Sequence, residues 1–174
     1  MVEENHKISC LDLKGQHQQV KKEIFQAFEK VYKETAFSGG SFVQEFEEKF
    51  SKYVGSKHAI GVCNGTVSLH LAMLALDIGP GDEVIIPANT FIATAWGVSH
   101  AGAKPVFVDC DDTWEIDPLK IEEAITNKTK AIIGVHLYGQ PFDVDKVKSI
   151  CDRHNLFLVE DAAQSHGARY KGKT

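Results

Sequence analysis

The chain has 174 residues, 43% hydrophobic and 25% charged, with a formal net charge of −5 and a pI near 5.9. This is an ordinary globular composition, long enough to bury a sizeable core, and its mild acidity gives no argument for nucleic acid or an anionic membrane as partner. It has no apolar run of about eighteen residues to span a membrane and no signal-type apolar stretch in the opening MVEENHKISC, so a cytoplasmic location is expected.

In chain order, apolar residues recur at Val20, Ile24, Ala27, Phe28 and Val31, so residues 16–34 read as a helix with one apolar stripe. Phe37-Ser38-Gly39-Gly40-Ser41 breaks it. Residues 42–53 read as a second helix, with Val43, Phe46, Phe50 and Tyr53 on one face and Gly55 as its stop. Aromatic residues at this spacing are expected to pack a core. From His58 the texture changes, and apolar runs alternate with helical patterns. Strands are expected over residues 59–63, 83–87, 104–109, 130–137 and 156–160. Helices are expected over residues 67–76, from Asn89 or Thr90 to His100, from Asp117-Pro118 to Ile125, and from the Asp143 cap to His154.

Five strands alternating with helices predict an α/β fold, a mostly parallel central sheet with helices on both faces. The organisation predicted is an N-terminal helical segment over residues 1–57 and an α/β domain over residues 58–174. The run Leu156–Glu160 has the continuous apolar character of a parallel strand covered on both faces. Cys10, Cys63, Cys110 and Cys151 match no C-x-x-C pattern, which predicts buried free thiols in a reducing compartment.

In open α/β sheets ligands bind beyond the carboxyl ends of the strands. Those ends carry Asn64-Gly65-Thr66, Asn89-Thr90-Phe91, Asp109, His136-Leu137-Tyr138-Gly139, and Asp161 with Gln164. Strand, Asn-Gly-Thr, then helix presents free N–H groups and a dipole to an anion, with Gly65 allowing close approach and Thr66 adding a hydroxyl; a plain helix cap has the same pattern. Asp161 either points a carboxylate into a pocket or caps the next turn. Phe91 by itself reads as core packing. There is no G-x-x-x-x-G-K-[ST] and no G-x-G-x-x-G after the first strand, which argues against a P-loop and a nicotinamide domain. Asp109, Asp111, Asp112 and Glu115 read as a solvated acidic loop, the histidines form no zinc pattern, and no metal site is expected.

The ordered stretches NGTVSLHLAMLAL, GPGDEVIIPANTFIATAWGVSHAGAKPVFVD, VHLYGQPFDVD and LVEDAAQSHGA resemble the DegT/DnrJ/EryC1/StrS family, pyridoxal-phosphate sugar aminotransferases of the aspartate-aminotransferase fold type. The resemblance runs from about Leu11 to the last residue. It implies an incomplete cofactor-binding large domain, without the rest of that domain and the C-terminal small domain. It implies amination of a nucleotide-linked keto-sugar, with glutamate as the amino donor, in a homodimer. Carried over by position, Asp161 pairs with the pyridine nitrogen of pyridoxal 5′-phosphate and keeps it protonated. Gln164 sits beside the ring's phenolic oxygen, Gly65 and Thr66 cradle the phosphate, and Phe91 stacks on the ring.

The family's Schiff-base lysine is expected beyond Thr174. Lys171 and Lys173, in RYKGKT, do not match its context, so this chain is expected to carry no catalytic residue and to be inactive alone. The competing expectation is a non-catalytic relative that binds the cofactor or serves as a regulatory or structural subunit.

Overall fold

The computed structural model describes residues 12–174. The chain divides into two compact units, Met1–Lys49 and Phe50–Thr174.

In the first unit, helix α1 (Leu13–Lys33) is capped by Asp12, whose Oδ1 accepts the Gly15 N–H at 3.0 Å. Its apolar stripe forms as expected, yet Val20, Ile24, Phe25, Phe28 and Tyr32 are exposed and no residue of the helix is buried. Helix α2 (Ser41–Val54) also buries no residue, and Phe46 and Tyr53 are more than half exposed. The expectation that its aromatic stripe fills a core is therefore corrected. An amphipathic face becomes core only where a second surface covers it.

The second unit is built on a parallel sheet of four strands: β1 (Glu83–Pro87), β2 (Lys104–Val108), β3 (Thr129–Val135) and β4 (Phe157–Asp161). Their order across the sheet is β2-β1-β3-β4, and all three pairings are parallel. Helix α3 (Gly65–Ala75) precedes β1; α4 (Ala93–His100), α5 (Pro118–Ala124) and α6 (Val144–His154) are the crossovers. The chain steps one way across the sheet from β1 to β2 and the other way from β2 to β3 to β4. Crossovers of one hand must then place α4 on one face and α5 and α6 on the other.

The two cores show that separation. Leu69, Met73, Ala95 and Val98 of α3 and α4 pack with Val84, Ile86, Ala131, Ile133 and Val135 on one face. Ile121, Val147 and Ile150 of α5 and α6 pack with Ile85 and Ile132 on the other. Alternate residues of β1 and β3 thus point to opposite, equally apolar layers, which is why these strands read as continuous runs. Each fully buried Ile here contributes about 1.5–3 kcal/mol.

Two strand expectations need correction. Residues 59–63 form no strand: the segment is irregular and Ile60 is 83% exposed. A strand exists only through a ladder of neighbouring groups, and this segment takes part in none of the pairings that build the described sheet. The run expected at residues 156–160 is a strand but an edge one. Among the described residues it pairs only with β3, and Phe157 is half exposed, so its apolar character is not matched by burial on both faces.

Smaller boundaries moved for visible reasons. Helix α4 starts at Ala93 rather than at Asn89 or Thr90, because the chain stays extended past β1 to make the ladder bond from Ala88 N–H to Val108 O at 2.8 Å. Pro118 opens α5 after the Asp117 cap, and Asp143 Oδ1 caps α6 by accepting the Lys146 N–H at 3.1 Å. Of the cysteines, Cys151 is buried, and burial pushes its thiol up to about 11. Cys110 is half-buried and Cys63 exposed, so the buried-thiol expectation is corrected for Cys63; Cys10 lies outside the described residues.

Candidate functional site

In a parallel sheet all carboxyl ends share one edge, and a crevice opens where neighbouring strands send their connections in opposite directions. Here that point lies between β1, which leads to β2, and β3, which leads to β4. The segments bordering it are Asn89–Phe91 after β1 and His136–Gly139 after β3, with Ala162–Ser165 following β4.

The first turn of α3 enters the same neighbourhood. Asn64 caps the helix: its Oδ1 accepts the Val67 N–H at 2.9 Å, and its carbonyl accepts the Ser68 N–H at 3.1 Å. The N–H groups of Gly65 and Thr66 are then the remaining donors of the first turn, with no partner among the described residues. A Cβ placed on Gly65 would lie 3.8 Å from the Ala163 Cβ. The turn that begins α3 therefore touches the loop that follows Asp161, although the two are nearly a hundred residues apart in sequence.

Asp161 closes β4 in register with Val135 of β3. Its Oδ1 accepts the Ala163 N–H at 3.1 Å, a local turn like the capping role left open in the sequence. Its Oδ2 has no partner among the described residues, so one carboxylate oxygen holds the loop and the other is left unengaged. The Asp161 carbonyl accepts the His136 N–H at 3.0 Å. Gln164 Oε1 accepts the Tyr138 N–H at 2.7 Å, tying the post-β4 loop to the post-β3 turn. That turn is strained, with Tyr138 at a φ of 55°, in the region that costs a non-glycine residue about 1–2 kcal/mol.

Phe91 lies just past β1 on this edge and is 64% exposed, so core packing, the reading its sequence alone suggested, is corrected. The structure thus draws Gly65 and Thr66 toward Asp161 and Gln164 through Ala163. It sets Phe91 across β3 from them on the same edge.

The arrangement suits a planar anionic cofactor. Unpartnered N–H groups at a helix N-terminus suit an anion, and a carboxylate oxygen of Asp161 without a partner among the described residues leaves negative charge on the same edge. Among the described residues no three metal-ligating side chains gather at one point. Lys171 pairs with Asp145, which raises its pKa. An amine nucleophile needs the opposite shift.

Two residues were misjudged or passed over in the sequence. Glu115, assigned there to a solvated acidic loop, is 2% exposed. Burial raises its carboxyl to about 7, with Asp111 adding to the rise and the Leu137 N–H and His136 opposing it. His136 is 7% exposed, stacks on Phe142 at 4.6 Å and places Nε2 3.0 Å from Glu160 Oε2. The available signal was a histidine continuing the apolar run KAIIGV. For Glu115 there was none, because only the fold folds the 110–116 hairpin inward.

The profile of the DegT/DnrJ/EryC1/StrS aminotransferase family matches residues 18–174. The chain is 48% identical over 167 residues to a pleiotropic regulatory protein of Geobacillus stearothermophilus, covering 95% of this chain and 45% of that protein. It is 49% identical over 167 residues to the dTDP-3-amino-3,6-dideoxy-alpha-D-galactopyranose transaminase of Aneurinibacillus thermoaerophilus, covering 95% of this chain and 46% of that one. The crystal structure of S. venezuelae DesV in complex with a ketimine intermediate superposes with a TM-score of 0.92 at 44% identity, over 96% of this chain and 45% of that one. The chain spans about half the length of the relatives it matches.

Proposed function

Since the chain belongs to the DegT/DnrJ/EryC1/StrS aminotransferase family, we propose that it forms the cofactor-binding part of a pyridoxal-phosphate enzyme that aminates a nucleotide-linked keto-sugar, with glutamate as donor. The observation that carries this reading is the meeting of the α3 N-terminus with the Asp161 loop, through Gly65 and Ala163. When bound, pyridoxal phosphate supplies an electron sink for the carbon that gains or loses the amino group. The chain's own residues do the rest. Gly65 and Thr66 hold the phosphate, the free oxygen of Asp161 fixes a proton on the ring nitrogen, Phe91 covers a ring face, and Gln164 anchors the Tyr138 turn beside it. The sugar-nucleotide substrate is inferred from the name of the Aneurinibacillus relative.

The test is turnover by a protein that also carries the family's lysine, with glutamate and dTDP-, GDP- or UDP-linked keto-sugars offered in turn. Amino-sugar product from one of them, together with cofactor absorbance, is expected. Absorbance without product from any sugar would overturn the substrate reading; no cofactor retention at all would overturn the site. Residues 1–174 alone are expected to show no turnover, because Lys171 and Lys173 lie in the stretch RYKGKT, which does not match the context of the family's lysine. Borohydride reduction with cofactor present should leave no pyridoxyl group on Lys171 or Lys173, and peptide mass mapping would reveal one.

The name of the Geobacillus relative supports a second reading, a regulatory role. An active protein in the turnover assay argues against that role being the only one.

We also propose that the protein is a cytoplasmic homodimer. Among the described residues no helix is long and apolar enough to cross a membrane. The α1 face of Ile24, Phe25, Phe28 and Tyr32 is too large an apolar exposure to be left to water. Sedimentation should show association that weakens when Phe25 and Phe28 are changed to Ser; a concentration-independent monomer would refute it.

A further inference from the structure

The α3 turn meets the Asp161 loop on one face of the sheet, and a second group of side chains grips the same strand ends from the other face. Successive residues of a strand point to opposite faces. Ile133 and Val135 of β3 and Val159 of β4 pack in the layer of α3 and α4, whereas Ile132 and Leu158 pack in the layer of α5 and α6. By that alternation Asp161 lies on the α3 face, and Glu160 and His136 lie on the opposite one.

On that back face His136 is pinned. Gly134, in register with Glu160, has no side chain, and the Phe142 ring lies where its Cβ would be. The His136 ring rests flat on Phe142, with centroids 4.6 Å apart and planes 9° from parallel, and the residue is 7% exposed. Its Nε2 is 3.0 Å from Glu160 Oε2. A carboxylate only accepts, so Nε2–H is the donor. The main-chain N–H of His136 donates to the Asp161 carbonyl, also at 3.0 Å. One residue thus holds two successive residues of β4, Glu160 by its ring and Asp161 by its backbone. The strand end is where a hold matters. Among the described residues β4 pairs only with β3, and Asp161 is its last residue. Such ends are the first to open, whereas a side chain that must meet a cofactor atom has to be held within about 0.5 Å by groups that are themselves locked.

We propose that His136 is a positioning residue: with Phe142 and Glu160 it forms a clamp on the back of the sheet that fixes where Asp161 presents its carboxylate on the front. It acts through the strand end, not by contact with the cofactor. Its significance for catalysis rests on the reading of Asp161 as the cofactor's partner; the clamp itself does not.

The experiment is amide hydrogen exchange, followed by NMR on the chain without cofactor. The reporters are Ala163, whose N–H is accepted by Asp161 Oδ1, and His136, whose N–H is accepted by the Asp161 carbonyl; the amides of β1 are the reference. Glu160→Ala is expected to speed exchange at both reporters by roughly 10-fold, the scale of one hydrogen bond to a half-exposed charged group, and to leave β1 unchanged. Glu160→Gln, whose side-chain carbonyl still accepts from Nε2–H, is expected to keep both reporters at the parent rate. Glu160 is half exposed, so neither variant disturbs a core. Parent rates at the reporters in Glu160→Ala would overturn the clamp, as would equal acceleration in β1 or a Glu160→Gln chain as fast as Glu160→Ala. In the complete, cofactor-loaded protein Glu160→Ala should lower kcat by roughly 3- to 10-fold at unchanged KM for the sugar, and Glu160→Gln should restore it. Parent kcat in Glu160→Ala despite faster exchange would confine the clamp to the fold and refute its positioning role. Wild-type turnover in Asp161→Asn would sink the cofactor reading and leave the exchange result standing, so the two failures are told apart.

Discussion

Asp161→Asn in the complete, cofactor-loaded protein is expected to lower kcat by about 100-fold or more, roughly 3 kcal/mol of lost stabilisation where charge develops. The substitution separates the two jobs of this side chain. Oδ1 accepts the Ala163 N–H, and the asparagine carbonyl oxygen can do the same, so the loop and the adjoining Gly65 contact should be kept. The outward atom becomes an amide with no negative charge, and nothing then favours a proton on the ring nitrogen. A normal melting temperature together with a collapsed kcat is therefore expected. Wild-type turnover would remove Asp161 from its assigned role, whereas loss of both stability and turnover would mean that the turn, and not the charge, was what mattered. Asp161→Glu is a useful companion: it keeps the charge but lengthens the arm, and is expected to recover only part of the rate.

The second large effect is structural. At Gly97 a Cβ would lie 2.6 Å from the Leu69 Cβ, 3.1 Å from the Leu69 carbonyl carbon and 3.2 Å from the His70 nitrogen. Helices α3 and α4 cross so closely there that the obstacle is main chain and the root of a buried side chain, neither of which can rotate away. Gly→Ala inside a helix is normally stabilising by up to about 1 kcal/mol. Here overpacking should exceed that gain and leave a net loss of about 1–3 kcal/mol, read as a melting temperature lower by roughly 5–10 °C. Because α3 carries the Asn64-Gly65-Thr66 turn at its start, separating the helices also shifts the anion cradle. Gly97→Ala is expected to weaken pyridoxal-phosphate retention as well as stability. A variant as stable as the parent would show that the crossing is looser than these distances imply.

Much of the α/β architecture could be read from the residues. The strands around Ile85, Val106, Ile132 and Leu158 are short apolar runs between turn residues, and the helices between them announce themselves by Asp117-Pro118, Asp143 and Gly102. These are local signals, and local chemistry decides them: a side-chain cap, a proline at the first turn, a glycine at positive φ. The four motif stretches named the family for the same reason, since each is contiguous. What no local signal could supply was partnership. Ala59–Cys63 has a strand's composition, but a strand needs a neighbouring ladder of N–H and C=O groups, and the segment joins none of the four strands of the sheet. Glu115 and Asp111 are equally acidic in sequence; only the packing of the hairpin against the end of β3 buries one and leaves the other partly exposed. The contact of Gly65 with Ala163 likewise depends on crossover handedness and strand order, which place the two segments together from opposite ends of the domain. The sequence by itself determined the chemistry available at each strand end, because side-chain type is local. The tertiary structure alone decided which of those ends meet and which carboxyl is denied water, because proximity and burial belong to the whole sheet.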